Sequence, residues 1–169
     1  YRSQRQGERW EVGFYHGGLP TPLQLRACGD LPSRLSCSPA DLTRRDAARL
    51  WDGGVRTIEL EMLTFQPRVL RHLRRGYGPA HLRAMIEGLH EMGFSIGLVL
   101  SPGLPTFRVE DCRKDIAEVV RFGSQVVNFV RINPALALEG SEASEWVRAG
   151  RWVPLTVPEA VELCRQYVD

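Results

Sequence analysis

The chain has no GxSxG, no HExxH and no P-loop, which leaves a hydrolase or a nucleotide triphosphatase a poor reading. Its four cysteines, Cys28, Cys37, Cys112 and Cys164, form neither a CxxC nor a CxxxCxxC. No zinc or iron–sulfur site is therefore readable within it, and the metal-ligand set is empty. No apolar run approaches the roughly 20 residues of a membrane-spanning helix. The first ten residues are polar and make no signal peptide. Free thiols in a reducing compartment, and so a cytoplasmic location, are the expectation. An excess of one charge is also lacking, since 22 Lys and Arg face 20 Asp and Glu for a net +2. So small an excess does not argue for nucleic acid as a partner. The pairs Arg44–Arg45 and Arg74–Arg75 read as solvated helix surface rather than as a phosphate track. The first residue is Tyr1, not Met, which reads as a start inside a longer polypeptide or as the result of processing.

What is present is globular. A chain of 169 residues with 43% hydrophobic content suits one domain with a sizeable core. Strand signals fall at 11–15, 35–37, 55–63, 94–100 and 126–132, each rich in β-branched or apolar residues. Helical spacing falls between them, at 23–28, 44–51, 66–74, 79–92 and 109–122. Thr43 is a good N-cap, Pro79 a good first helical residue and Gly93 a good C-terminal cap. Strands alternating with helices predict parallel βα units, with apolar strands buried on both faces. Five such strands make either a doubly wound sheet or part of a (β/α) barrel, and in both the ligand sits beyond the strand C-termini. The segments there, 16–21, 36–41, 64–65, 101–105 and 131–134, are polar or rich in Gly and Pro. The remainder, 138–169, reads as a helical tail, with Ser141 and Thr156 as caps. The expected division is a partial barrel over 1–137 and a tail over 138–169.

The ordered set of loop motifs resembles the radical S-adenosylmethionine superfamily. The likeness is to the branch holding the Elongator catalytic subunit and the oxygen-independent coproporphyrinogen oxidases. Residues 15–23, Tyr-His-Gly-Gly-Leu-Pro-Thr-Pro-Leu, resemble that family's strand–Gly-Gly-Gly–Thr-Pro segment. Residues 38–43, Ser-Pro-Ala-Asp-Leu-Thr, are similar to its Asn-Pro-Gly-Asp-Leu-Thr. Residues 58–65 sit at its Gly-Val-Gln-Ser-Phe strand end, 75–77 resemble its Arg-Gly-His, and 101–105, Ser-Pro-Gly-Leu-Pro, resemble its Gly-Leu-Pro loop. The stretch 131–164 looks like the Elongator-type ending. The resemblance implies an α/β fold: a partial (β/α)6 TIM-like barrel of parallel strands, of which the second to sixth are present. It implies S-adenosylmethionine as a cofactor, and a 4Fe–4S cluster only if an upstream cysteine motif exists. In the family such a cluster cleaves the cofactor to a 5′-deoxyadenosyl radical that abstracts hydrogen from substrate. Here the cysteine loop is absent, Leu19 replaces a Thr, His16 a Gly, Ser36 a Glu and Leu63 a Gln.

The resemblance marks Gly17, Gly18, Ser36, Glu61, Thr64, Pro102, Gly103 and Arg131 as cofactor-side residues; no catalytic residue is assigned. Gly17 and Gly18 bring backbone near the methionine end, against the reading of a plain turn. Glu59 and Glu61 share a strand face. One functional carboxylate is expected there, with Glu59 paired to a cation, because two unpaired buried carboxylates are costly. Arg131 suits a bidentate carboxylate contact or a structural ion pair equally. His72, His81 and His90 read as surface, and Trp146 and Trp152 as packing the tail on the barrel. Two functions follow. One is part of a radical enzyme acting on an unknown substrate, completed by an N-terminal segment or a protein partner. The other is a non-catalytic binding or scaffolding module that keeps the barrel and has lost the cluster.

Overall fold

A computed structural model describes residues 12–15 and 18–167, with the Tyr15 side chain excepted. Five strands form one sheet: β1 (Val12–Tyr15), β2 (Ser33–Cys37), β3 (Val55–Leu63), β4 (Ser95–Leu100) and β5 (Phe129–Ile132). All four pairings are parallel, and the strands lie side by side in chain order. That order decides between the two expected architectures. A doubly wound sheet reverses direction at a switch point, whereas this one steps one way throughout. Crossovers of one hand then place the helices on a single face and curve the sheet towards a barrel.

The helices are α1 (Pro22–Arg26), α2 (Arg44–Asp52), α3 (Pro67–His72), α4 (Pro79–Glu91), α5 (Val109–Phe122), α6 (Glu142–Arg148) and α7 (Val157–Arg165). Their ends follow the local chemistry. Thr43 caps α2 in a reciprocal box with Asp46, and Pro67 and Pro79 stand in the first turns of α3 and α4. The helix expected over 66–74 is shorter, because Gln66 is its cap and Leu73 already leaves helical geometry. The strand expected over 126–132 starts at Phe129, because Val126 and Val127 both turn back to the Gly123 carbonyl.

Strand alternation sorts the sheet into two unlike faces. Leu35, Cys37, Ile58, Leu60, Met62, Ile96, Leu98 and Leu100 point to one side. They are buried in a single core with Ala47 and Leu50 of α2 and Leu82, Ile86 and Leu89 of α4. The other side carries Arg34, Ser36, Thr57, Glu59, Glu61 and Arg131. Buried on both sides, yet polar on one, the strands depart from the uniformly apolar runs of a doubly covered parallel sheet. No described helix is long and apolar enough to cross a membrane.

Candidate functional site at the strand C-terminal ends

The polar face is organised around Glu59, whose side chain is fully buried. Arg34 reaches it from β2, with Nη1 donating to Oε1 at 3.0 Å. Arg131 reaches it from β5, with Nη2 donating to Oε1 at 3.0 Å and lying 2.9 Å from Oε2. The carboxylate thus spans strands that are not neighbours in the sheet. The span is possible because Gly97 of β4 lies between and has no side chain. A Cβ there would meet the Phe129 ring at 2.2 Å. Phe129 fills that space, and the Arg34 guanidinium sits 5.1 Å from its ring centroid. The sequence expectation that Glu59 is cation-paired therefore holds, although Arg34 was not singled out from the sequence.

One step nearer the strand ends, the Ser36 hydroxyl donates to Glu61 Oε1 at 2.9 Å. Ser36 is buried, whereas Glu61 and Arg131 are only half-buried. Tyr77 stands nearby. Burial pushes its hydroxyl pKa up, Arg75 and the Ser38 side chain oppose the rise, and Asp41 and Glu61 add to it. The hydroxyl oxygen is sealed from solvent, with the Ser38 side chain as its neighbour.

Beyond β3 the chain turns through Leu63, which takes a left-handed φ of 68°. A branched residue in that region is strained by about 1 kcal/mol, so the surrounding bonds must hold it. They do: Ser101 N–H donates to the Leu63 carbonyl at 2.8 Å, and Thr64 N–H to Met62 at 2.9 Å. Thr64 then turns its hydroxyl to the helix layer, donating to Asp115 Oδ2 at 2.6 Å. The other Asp115 oxygen accepts from Phe65 N–H at 3.0 Å and Gln66 Nε2 at 2.8 Å. Burial still pushes the Asp115 pKa up, against those three bonds. Asp111 of the same helix takes Arg68 at 2.7 Å. Helix α5 thereby fixes the whole β3–α3 loop.

The loop after β4 is fastened in the same manner. The Pro102 carbonyl accepts from Ala135 N–H at 2.9 Å, and the Gly103 carbonyl from Trp152 Nε1 at 3.2 Å. Gly103 has φ +82° and Leu155 Cδ1 would lie 2.4 Å from a Cβ placed there. Trp146 makes an edge contact with His72, ring centroids 5.3 Å apart. Both tryptophans pack the tail as expected, and His72, His81 and His90 are exposed.

Of the eight residues marked in the sequence, Ser36, Glu61 and Arg131 share the polar face near the strand ends. Gly18 occupies the β1 exit with φ +90°, and Pro102 and Gly103 the β4 exit. Thr64 is committed to Asp115. Gly17, like His16, lies outside the described residues. Asp115 and Tyr77 were not marked. Asp115 has no local signal, since it sits in an ordinary amphipathic helix about 50 residues from its partners. Among the described residues, no three His, Cys, Asp or Glu side chains converge to hold a metal. Cys37 faces the apolar core, where burial pushes its thiol up to about 12. Cys112 and Cys164 belong to α5 and α7. The thiols present do not fit a 4Fe–4S cluster. The hydroxyl, carboxylate and guanidinium of Ser36, Glu61 and Arg131 do fit the ribose, amine and carboxylate groups of a nucleoside-linked amino acid.

No protein-family model matches the chain. It is 26% identical over 110 residues to a tRNA uridine(34) acetyltransferase of Methanocaldococcus infernus, a match of 65% of this chain. That match is about a fifth of the relative's own length, 21%. Among solved structures, the Methanocaldococcus infernus Elp3 lacking its N-terminus superposes with TM-score 0.70 and 21% identity, over 80% of this chain and 32% of that one. Escherichia coli coproporphyrinogen III oxidase, described as a radical SAM enzyme, superposes with TM-score 0.71 and 12% identity, over 94% and 39%. The five parallel strands match the partial TIM-like barrel of those proteins. Over part of its length, the chain is thus similar in sequence to tRNA uridine(34) acetyltransferases, and in fold to Elp3 and to a coproporphyrinogen III oxidase described as a radical SAM enzyme.

Proposed function

We propose that this chain is the S-adenosylmethionine-binding barrel portion of a radical SAM enzyme whose cluster ligands lie outside the segment. Residues 1–137 supply the barrel and 138–169 the tail. The observation that carries the reading is the pairing of Ser36 with Glu61 beside Arg131, on the polar face at the strand C-terminal ends. Ligands in parallel α/β folds sit at that end. Glu61 accepts from ribose hydroxyls or the amino group, with Ser36 fixing its rotamer. Arg131 takes the carboxylate with the guanidinium edge that Glu59 leaves open, and Gly18 and Pro102 form the walls. Thr64 and Gly103 act through the loops they hold. The cofactor, where a cluster reduces it, supplies an adenosyl radical; the residues here bind, orient and exclude water.

A second reading has its own support. The thiols do not converge, and Leu63 stands where the family pattern has Gln, so a binding module without cluster chemistry keeps the same fold. One experiment separates the two. Titration calorimetry of S-adenosylmethionine into the chain should show binding that Glu61→Gln and Arg131→Met weaken. Anaerobic iron–sulfide reconstitution of the chain should give no cluster absorbance and no 5′-deoxyadenosine. A longer chain carrying upstream residues should give both if the enzyme reading holds, and neither if the module reading holds. No detectable cofactor binding by any form would remove the proposal.

A further inference from the structure

A cavity of about 550 Å³ opens in the helix layer, between α2 and α4, and runs to Pro39 and Ala40 after β2. Seams between packed helices are normally filled by interlocking side chains. This one is left open by small residues: Ala47 on α2, and Ala84 with Gly88 one turn further along α4. Gly88 is the telling residue. It lies in the interior of a helix, where glycine costs about 1 kcal/mol relative to alanine. Its φ is not positive, and a Cβ built on it meets nothing within 4 Å. Neither backbone geometry nor crowding requires glycine there, but a larger side chain would project into the hollow.

The walls are apolar, from Leu42, Met85, Leu89 and Met92, with the Tyr77 ring completing them. The mouth is cationic. Arg44 and Arg75 line it, and among the described residues neither forms a salt bridge. His81 stacks on Tyr77 beside them, with ring centroids 6.3 Å apart. Asp41, exposed near the same rim, bonds to neither arginine. The size falls within the range of small-ligand sites, which combine apolar walls with a few polar groups that fix orientation.

We propose that this cavity binds a compact apolar molecule bearing one anionic group, its body against Met85 and Leu89 and its charge between Arg44 and Arg75. Ser36, Glu61 and Arg131 do not line it, although Tyr77 borders both regions, and its test needs no S-adenosylmethionine. The probe is 8-anilinonaphthalene-1-sulfonate, compared with N-phenyl-1-naphthylamine, which has the same rings without the sulfonate. Titration by fluorescence should show one saturable site for the sulfonate. Gly88→Leu should weaken it about tenfold or more, a loss of roughly 1.4 kcal/mol. Arg44→Gln combined with Arg75→Gln should weaken the sulfonate several-fold and leave the neutral probe unchanged. Near-ultraviolet circular dichroism establishes that each variant is folded; Ala84→Leu replaces Gly88→Leu if that variant is not. Shifts of the Met85 and Met92 methyl resonances on titration should locate the probe. Non-saturable binding, equal affinity in a folded cavity-filling variant, or equal response of both probes to the arginine changes would each overturn the proposal.

Discussion

Glu59→Gln tests the organisation of the polar face most directly. The substitution keeps shape and one acceptor oxygen but removes the charge that Arg34 and Arg131 share among the described residues. Breaking a buried pair from one side costs about 3–5 kcal/mol, because the partner charge stays buried. Both arginines retain some water here: their side chains are 20% and 40% exposed. The Arg131 share must be discounted for screening, and glutamine still accepts one bond. About 2–3 kcal/mol of destabilisation remains. For a domain of this size that lowers Tm by roughly 5–10 °C. Urea unfolding followed by tryptophan fluorescence measures it, and a double-mutant cycle divides it. Coupling of Glu59 to Arg34 should exceed coupling to Arg131, since Arg34 is the more buried and is held over Phe129. A loss below about 0.5 kcal/mol, or the reverse order of couplings, would refute the reasoning.

Further outcomes are expected at the buried thiols, at Asp115 and at Gly103. Burial pushes Cys37 up to about 12 and Cys112 up to about 11, so both should stay protonated at pH 8 and resist alkylation until unfolding, while half-buried Cys28 labels first; mass spectrometry of timed iodoacetamide labelling reads this. The stability these two thiols contribute is complete below the ordinary thiol range and is lost as pH climbs through their raised values. Asp115, also raised, should make stability fall as pH rises from the usual Asp value, near 3.9, through its own, and Asp115→Asn should flatten that slope in pH-dependent urea titrations. Asp115→Ala strands the Thr64 hydroxyl and Phe65 N–H and should cost about 2–3 kcal/mol in the same titrations. Gly103→Ala combines a left-handed backbone with a clash on Leu155, and should cost about 1–2 kcal/mol and raise proteolysis of the tail around Trp152.

The architecture was legible in the sequence because its signals are local. Strand composition, the Thr43 cap and the prolines before α3 and α4 act within a few residues, and the elements fall close to their expected positions. The distinction between barrel and doubly wound sheet was not legible from periodicity, since both alternate β and α; the ordered motifs pointed to the barrel, and strand order established it. On the polar face, the two-residue spacing of Glu59 and Glu61 showed that they share a side. It could not show that Arg34 and Arg131, on strands separated by most of the chain, meet on one carboxylate. Thr64 illustrates the opposite limit. Its position beside the strand end suggested a ligand contact, whereas its hydroxyl is bound to a helix about 50 residues away. A hydroxyl in a motif carries no mark of which layer it faces.

The composition of that face bears on what the fold is for. A filled parallel barrel is layered inside with branched apolar residues. Here one row across the sheet reads Gly13, Arg34, Thr57 and Ser95, and the next Ser36, Glu59, Gly97 and Phe129. Such rows cannot close by interdigitation, because each polar group needs a partner of its own. At depth the need is met internally, by two guanidiniums on Glu59. Towards the strand ends, Glu61 and Arg131 are only half-buried, with Ser36 donating to Glu61. Exposure thus rises along β3 from the fully buried Glu59, held by two guanidiniums, to the half-buried Glu61. If the proposed cofactor site holds, substitutions should affect folding most at Glu59 and binding most at Glu61, two residues apart on the same strand.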